Sequence, residues 1–235
     1  MSRLILFPVP IGAEALNVSL PEANLQLLYG CNTFIVEELR SARRFLKKAG
    51  FPRPLDTLCF HLLNEHTPPE AIGDYLGDAS SDEDIGLFSE AGLPCVADPG
   101  NLVTRMAQQR GISIVPLVGP SSIMLALMAS GLNGQQFAFN GYLPVDRHQR
   151  AAAIRKLESL VAHGGATQIF IEAPYRNNQM LQSLAETCHP ETLICVACDL
   201  TLPTQTILTR SAAQWRKQQS HSDFHKRPTV FLIGR

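Results

Sequence analysis

The sequence predicts an α/β fold with two domains. Short apolar runs typical of buried strands alternate along the chain with segments whose apolar residues recur at helical spacing. Most of these runs lead directly into turns rich in Gly, Pro or acidic residues, the usual composition of loops at the carboxyl ends of strands in open α/β sheets. A chain of 235 residues allows one large domain or two ordinary ones. We place the boundary after Pro116, which gives an N-terminal domain 1–116 and a C-terminal domain 117–235.

In the N-terminal domain, expected strands and helices follow one another regularly. The expected extended segments are Leu4–Val9, Thr33–Val36, Leu55–Leu63, Ile85–Phe88 and Ile112–Val115. Helices are expected over 22–29, 41–49, 70–76 and 101–110. Ser19–Glu22 and Thr67–Glu70 both have a Ser or Thr followed three residues later by Glu, so each is expected to begin a helix as a capping box.

The C-terminal domain begins with a Gly-Pro-Ser-Ser turn and an apolar helix, Ile123–Ala129, closed by Gly131. After Gly131 the pattern changes: Leu143–Arg150 is polar and linker-like, and a helix is expected after it. Further helices are expected from near Tyr175 and around Trp215. The expected strands of this domain are Gln136–Tyr142, Gln168–Glu172, Leu193–Ala197, Thr206–Leu208 and Thr229–Ile233.

The segment Ser89–Gly100, which we call the central loop, stands out between a strand and a helix. Its twelve residues include two Gly, two Pro and two carboxylates. Proline fixes φ and glycine permits unusual backbone shapes, so the central loop is expected to have one definite conformation. A simple connector needs only a few residues, and this loop follows a strand's carboxyl end, which favours a ligand site over a loop that only packs. Asp98 is expected to cap the helix that begins near Asn101.

Composition limits the classes of partner. The apolar fraction of 45% and the charged fraction of 17% are typical of a globular protein with a substantial core. A net charge of −1 gives no global attraction to nucleic acid or membrane. We expect a cytoplasmic protein, because no apolar run is long enough to span a bilayer and no signal segment is recognisable. The cysteines lie in or beside apolar runs, so Cys195 and Cys198 are expected to be structural, and no metal site is expected.

The expected loops suggest the kind of ligand. Many loops gathered at strand ends suit a nucleoside-like molecule with hydroxyls to hold, and the sequence contains neither G-x-G-x-x-G nor a Walker A motif. No G-x-S-x-G elbow or evident Ser/His/Asp order supports a hydrolase. Two basic runs are either solvated helix faces or phosphate contacts. They are Arg40, Arg43, Arg44, Lys47, Lys48 and Arg53, and then Arg147, Arg150, Arg155 and Lys156.

A series of short motifs, in the same order over nearly the whole chain, resembles one family. The motifs are Val9–Gly12, Val36–Arg40, Asn64–His66, Ser89–Pro94, Ala97–Gly100, Val118–Ser122, Gly141–Pro144 and Ile171–Arg176. The chain is similar to the tetrapyrrole-methylase-like class of S-adenosylmethionine-dependent methyltransferases. Within this class the chain resembles the branch of the ribosomal RNA small subunit methyltransferase I, which 2′-O-methylates a cytidine. The resemblance implies two α/β domains with a cofactor cleft between them, S-adenosylmethionine as cofactor, ribosomal RNA or the small ribosomal subunit as partner, no membrane contact, and a homodimer.

The resemblance also implies site residues. On the acceptor side it implies Glu38 as a base, Arg40 as an anchor for phosphate or substrate, and Glu65 as a base or an orienting group, although each is equally compatible with a surface charge. Tyr175 is expected either to stack on adenine or to be an ordinary half-buried tyrosine. The implied cofactor-binding residues are Pro10, Gly12, Pro94, Asp98, Gly100, Ser121, Ser122, Tyr175, Leu200, Thr201, Thr229 and Val230.

The departures from the family pattern leave two alternatives open. Glu38 and Leu39 replace the Asp and Thr of the family's E-D-T-R motif, and Thr201 with Gln205 is closer to the version found in the tetrapyrrole enzymes. One alternative is a methyltransferase for a small tetrapyrrole-like molecule, in keeping with the net charge of −1. The other is a non-catalytic protein that binds the cofactor or assists assembly.

Overall fold

The computed structural model describes residues 2–12, 15–64, 66–77, 83–218 and 223–235. The chain divides into two units, Met1–Ser121 and Ser122–Arg235, so the division falls slightly after the boundary expected at Pro116. Each unit contains a five-stranded sheet with helices, and the α/β class with two α/β units is confirmed.

The sheet of the first unit is entirely parallel. Its strands are β1 (Arg3–Leu6), β2 (Thr33–Val36), β3 (Cys59–Leu62), β4 (Ile85–Phe88) and β5 (Ser113–Pro116), in the spatial order β3-β2-β4-β1-β5. The helices are α1 (Leu16–Ser19), α2 (Glu22–Gly30), α3 (Leu39–Lys48), α4 (Pro69–Tyr75) and α5 (Gly100–Gln109). Leu55–Thr57, expected to be extended, forms a short 3₁₀ turn instead.

The central strand β4 is buried along its whole length, as expected for a parallel sheet covered on both faces. Phe34 on β2 lies in contact with Phe51, Phe60 and Phe88, with ring centroids 5.7–6.1 Å apart. Gly86 is required beside this aromatic cluster, because a Cβ there would lie 2.6 Å from the ring of Phe34. The cluster fixes the strands whose carboxyl ends carry the polar residues described below.

The sheet of the second unit is mixed. Its strands are β6 (Phe137–Tyr142), β7 (Thr167–Ile171), β8 (Leu193–Cys198), β9 (Thr206–Ser211) and β10 (Thr229–Gly234), in the order β6-β7-β10-β8-β9. Only β6 and β7 pair in parallel. The helices are α6 (Ser122–Ser130), α7 (Arg147–Gly164), α8 (Asn177–Thr187) and α9 (Ala212–Gln218), and Pro174–Arg176 forms a 3₁₀ turn. Trp215 is fully buried and donates from its indole N–H to the carbonyl of Ile194 at 2.9 Å.

The two expected capping boxes are wrong. The N-caps of α2 and α4 are Pro21 and Pro68, and neither cap makes a side-chain hydrogen bond. Ser19 is the last residue of α1, and the hydroxyl of Thr67 donates to the carbonyl of Leu62. The prolines hold the backbone extended up to the helix start, so the Glu of each motif lies in the first two helical positions instead of the third that a capping box requires.

The expected linker Leu143–Arg150 is wrong in its second half. Helix α7 already begins at Arg147, because the carboxylate of Asp146 accepts hydrogen bonds from the backbone N–H groups of His148 (3.0 Å) and Gln149 (2.9 Å). The polar composition that suggested a linker is the composition of a capped first turn.

Cys195 and Cys198 are buried free thiols, and burial raises the pKa of each, which supports the structural role expected for them. Across the described ranges, no group of three or more His, Cys, Asp or Glu residues is arranged to hold a metal ion. No helix in the described part of the chain has the length and apolar character needed to cross a membrane.

Candidate functional site

The carboxyl edge of the first sheet gathers the loops that the sequence singles out. Because the strands are parallel, their carboxyl ends lie at one edge. The segments that follow them within the described residues are 7–12, Glu37–Glu38, 63–64, the central loop and 117–121. A groove of about 420 Å³ lies at this edge. It is lined by Val9, Pro10, Ile11, Gly12, Ser41, Arg44, Phe45, Lys48, Phe88, Ser89, Glu90 and Ala91.

Asp98 organises the central loop from within. Its carboxylate accepts hydrogen bonds from the backbone N–H of Cys95 (2.9 Å) and from that of Gly100 (2.7 Å), where α5 begins. Burial raises the pKa of Asp98, while these backbone donors and the hydroxyl of Ser89 act in the opposite direction. The N-cap of α5 is Pro99, so Asp98 is not the N-cap residue itself, although its carboxylate accepts from the first helical N–H. Its ligand-binding role stays a prediction.

The backbone of the central loop is strained and tightly placed. Cys95 and Ala97 have positive φ values of 67° and 63°, which non-glycine residues seldom adopt outside functional or over-determined segments. At Gly100, a Cβ would lie 2.9 Å from a carboxylate oxygen of Asp98, so any larger residue there would force that carboxylate to shift. Backbone hydrogen bonds of 2.9 and 3.1 Å between Val9 and Gly92 join the central loop to the Pro10–Gly12 turn.

Glu38, expected as a base, is engaged at the start of α3. Its carboxylate accepts from the backbone N–H of Arg40 (2.8 Å) and of Ser41 (2.6 Å). These two hydrogen bonds lower the pKa of Glu38. The side chain thus acts as the N-cap of the helix. Arg40 is exposed in the first turn of α3, and Glu65 lies outside the described residues.

Glu37 is a residue that the sequence reasoning missed. It is half-buried and lines a small recess together with Ser89, Asp98 and Gly100. Burial raises its pKa, and the negative charges of Glu90 and Asp98 add to this effect, while a hydrogen bond from the backbone N–H of Glu90 opposes it. The available signal was its place directly after the strand residue Val36, where it matches the Glu of the family's E-D-T-R motif.

One face of α3 is basic and exposed. Arg40, Arg43, Arg44, Lys47 and Lys48 are exposed there, and Arg44 and Lys48 also line the groove at the carboxyl edge. Arg53, from the same basic run, is used inside the fold instead: its guanidinium donates to the carbonyls of Tyr29 and Cys31 at 2.8 Å and to the side chain of Asn32.

The second basic run does not form one surface. Arg150 is 1% exposed, and its guanidinium donates to the carbonyl of Val145 (2.9 Å) and to the hydroxyl of Ser183 (3.0 Å). The expectation that Arg150 contacts phosphate is therefore wrong, because the side chain is enclosed beside the first turn of α7. Arg147 lies 3.4 Å from Glu186 on the surface.

In the second unit, three segments meet at one end of the mixed sheet. They are Glu172–Arg176 after β7, Asp199–Gln205 after β8, and Thr229 at the start of β10, and we call them together the polar end of the second sheet. Asp199 accepts from Arg227 Nε (2.8 Å) and from the hydroxyl of Thr204 (2.7 Å). Although burial alone would raise the pKa of Asp199, these hydrogen bonds and the charge of Arg227 lower it.

The predicted residues Leu200, Thr201, Thr229 and Val230 belong to this end. Thr201 has a positive φ of 70°, and its backbone N–H donates to the side-chain oxygen of Gln205 at 2.9 Å. Leu200 and Val230 are buried, and the hydroxyl of Thr229 accepts from Asn177 Nδ2 at 3.1 Å. The resemblance had pointed to Thr201 and Gln205 together, and the structure brings them into direct contact.

Tyr175 lies at the same end and is 61% exposed. The guanidinium of Arg176 lies 5.1 Å from the centre of its ring and donates to its hydroxyl at 3.1 Å. Arg176 is held in turn by Glu172, a fully buried carboxylate at 2.6 Å. The Glu172–Arg176 ion pair therefore holds Arg176 against the ring of Tyr175, and the ring itself stays exposed to solvent.

Three buried polar atoms at the polar end of the second sheet have no hydrogen-bond partner within the described residues: Glu172 Oε2, Asn177 Oδ1 and Thr201 Oγ1. Buried polar atoms normally have a hydrogen-bond partner. Two unpaired acceptors and an unpaired hydroxyl beside an exposed aromatic ring therefore fit a ligand that has hydrogen-bond donors and a flat ring. An adenosine moiety has both. Of the remaining predicted residues, Pro94 is buried in the central loop, and Ser121 and Ser122 lie where the chain passes into α6.

A family model described as tetrapyrrole (corrin/porphyrin) methylases matches residues 26–215. The chain is 36% identical over 197 residues to the ribosomal RNA small subunit methyltransferase I of Xylella fastidiosa strain Temecula1, which covers 84% of this chain and 68% of the relative. It is 30% identical over 230 residues to the protein of the same name from Vibrio cholerae, with 98% and 76% of the two chains covered.

A solved structure shows the same fold. The crystal structure of the methyltransferase CobJ superposes with a TM-score of 0.63 at 17% sequence identity, and covers 100% of this chain and 93% of that one. At this identity the similarity supports the fold alone.

Proposed function

Since the chain belongs to the tetrapyrrole methylase family of S-adenosylmethionine-dependent methyltransferases, and within it to the group of the ribosomal RNA small subunit methyltransferase I, we propose that it methylates small-subunit ribosomal RNA on a 2′-hydroxyl. The observation that carries this proposal is the groove at the carboxyl edge of the first sheet. It is lined by Arg44 and Lys48 of α3, by the Pro10–Gly12 turn and by the first residues of the central loop.

A basic helix face beside a groove suits an RNA backbone. Phosphate contacts from Lys and Arg dominate nucleic-acid affinity and fix the register of the chain without reading the bases. The exposed basic residues of α3 extend from Arg40 at its first turn to Lys48 at its end, so they offer phosphate contacts along its length. Arg40 is proposed as the anchor nearest to the acceptor.

The methyl donor supplies an electrophilic methyl group on a sulfonium sulfur, so the chain's own residues have to bind, orient and exclude water. In the first unit we propose Pro10, Gly12, Pro94, Asp98, Gly100 and Ser121 as cofactor-binding residues. In the second unit we propose Ser122, Tyr175, Leu200, Thr201, Thr229 and Val230. The orphaned hydroxyl of Thr201 and the exposed ring of Tyr175 support the second set.

We also propose a cytoplasmic homodimer that acts on the small ribosomal subunit. Light scattering at micromolar concentration measures the oligomeric state directly. A mass of one chain, 25.8 kDa, would contradict the dimer.

The experiment for the proposed function is methyl transfer from radiolabelled S-adenosylmethionine to purified small ribosomal subunits and to free ribosomal RNA. The expected product carries label in a nucleotide whose 3′ phosphodiester resists alkali, as 2′-O-methylation requires. Label in a base, or transfer only to a porphyrinoid, would contradict the proposed acceptor. Tight binding of S-adenosylhomocysteine with no transfer to either class would support a non-catalytic protein instead.

A further inference from the structure

Two consecutive glutamates at the carboxyl edge have different contacts. The carboxylate of Glu38 is held by two backbone N–H groups at the start of α3, at 2.8 and 2.6 Å. A carboxylate used as a helix cap is saturated by donors that stabilise its charged form, so it is a weak proton acceptor. Glu37, one residue earlier, directly follows β2 and lines the recess with Ser89, Asp98 and Gly100.

The surroundings of Glu37 are acidic on the side of the central loop. Glu90 and Asp98 are the carboxylates whose charges act on it, and Glu90 also supplies a backbone N–H. From α3, the hydroxyl of Ser41 donates to the carboxylate of Glu90 at 3.0 Å, and Arg44 and Lys48 line the neighbouring groove together with Glu90. Among the residues that the structure describes, Glu37 forms no ion pair of its own.

We propose that Glu37, and not Glu38, is the general base that takes the proton from the acceptor hydroxyl. This inference rests on the proposed function, because a hydroxyl acceptor has to lose its proton when the methyl group is transferred. The acceptor oxygen forms the new O–C bond, the electron pair of the broken C–S bond stays on sulfur, and the hydroxyl proton passes to the Glu37 carboxylate. The charges balance, since the carboxylate becomes a carboxylic acid as the sulfonium becomes a thioether.

The protonation behaviour of the two residues supports the assignment. A base works best when its pKa approaches the working pH. Burial and the two neighbouring negative charges raise the pKa of Glu37 towards that range, whereas the backbone donors move that of Glu38 away from it.

The test compares E37Q with E38Q in the wild-type background. Methyl transfer to small subunits, affinity for S-adenosylhomocysteine by calorimetry and the melting temperature are measured for each. For E37Q we expect kcat to fall about 10²- to 10⁴-fold, the range for loss of a general base, with KM for the subunit and cofactor affinity nearly unchanged. Its melting temperature should stay the same or rise, because a half-buried carboxylate repelled by its neighbours is removed, while the amide oxygen still accepts from the backbone N–H of Glu90.

For E38Q we expect the opposite combination: a lower melting temperature, because a charged helix cap is weakened, and kcat within a few-fold of the wild type. If E38Q loses turnover while E37Q keeps it, the proposal is overturned. Loss of cofactor affinity in E37Q would likewise overturn it, because Glu37 would then be a binding residue. If wild-type protein labels no ribosomal RNA, the proposed function itself fails, and this result is distinct from an active E37Q variant.

Discussion

The carboxyl edge of the first sheet carries half-buried carboxylates and the polar end of the second sheet carries buried ones, but only the second region pairs them with cations. Glu172 is paired with Arg176 at 2.6 Å, and Asp199 with Arg227 at 2.8 Å. Within the described residues, Glu37 and Asp98 form no ion pair, and burial raises the pKa of each. The first region therefore holds groups that can exchange protons, and the second holds fixed acceptors and an oriented ring. We propose that the first region supplies proton chemistry and part of the cofactor site, and that the second region supplies the rest of the cofactor site.

The largest expected effect comes from breaking the Glu172–Arg176 ion pair at the polar end of the second sheet. In R176A the fully buried carboxylate of Glu172 loses its partner, while Arg176 itself is only one-fifth exposed. We expect the free energy of unfolding to fall by about 3 kcal/mol, the low end for breaking a buried pair. Chemical denaturation measures this loss, and E172Q/R176A should recover part of it. A loss under about 1 kcal/mol, as for exposed pairs, would show that the pair is not buried in solution.

The next effect concerns the central loop. In D98A the N–H groups of Cys95 and Gly100 lose their acceptor, so the loop should no longer hold its strained shape. We expect at least tenfold weaker binding of S-adenosylhomocysteine, about 1.4 kcal/mol, in a protein that remains folded. Calorimetry measures it, and D98N, which keeps one oxygen acceptor, serves as the matched control. Unchanged affinity in D98A would remove the central loop from the cofactor site.

The pH dependence of stability should have opposite signs in the two regions. The pKa of Glu37 is raised in the folded state. Its contribution to stability is therefore present below its unfolded-state pKa of about 4.3 and is lost as the pH rises through its folded-state pKa. The pKa of Asp199 is lowered in the folded state. Its contribution to stability is therefore present above its unfolded-state pKa of about 3.9 and is lost as the pH falls through its folded-state pKa. Melting curves of E37Q and D199N from acid to neutral pH measure this difference.

In those curves, E37Q should gain stability relative to the wild type as pH rises, and the deficit of D199N should shrink as pH falls. Parallel curves for the two variants would contradict the division between the regions.

The smallest expected effect is on RNA affinity. Replacing Arg44 by alanine should weaken binding of small-subunit RNA to a similar degree for all sequences, and should reduce the slope of log affinity against log salt by about 1. Arg53→Ala is a poor control because it disturbs the fold, whereas Arg147, on the surface of the other unit, is suitable. An unchanged slope in R44A would mean that α3 does not contact phosphate.

The strands and the fold class followed from the sequence because buried parallel strands are short continuous apolar runs. Thr33–Val36 and Ile85–Phe88 are predicted and observed with the same ends. The cap at Asp146 and the burial of Arg150 were not predicted, because both depend on contacts with other elements. Composition alone cannot distinguish a solvated basic run from one whose arginine is enclosed.

The candidate site was only partly predictable. The loops were found because Gly, Pro and acidic residues mark strand ends, and the motifs placed Asp98 and Thr201 in them. The positive φ of Cys95 and Ala97 was not foreseen, since neither is glycine. The distinction between Glu37 and Glu38 was not foreseen either, because it depends on which carboxylate faces the helix start and which faces the recess.

The most direct test of the division between proton chemistry and binding is the rate of a single methyl-transfer turnover as a function of pH, in the wild type and in E37Q with saturating donor. We predict a wild-type rate that rises with pH as Glu37 loses its proton and then levels off, and a much lower rate in E37Q without that rise. A rise of the same shape and size in E37Q would contradict the assignment of proton chemistry to Glu37 at the carboxyl edge of the first sheet.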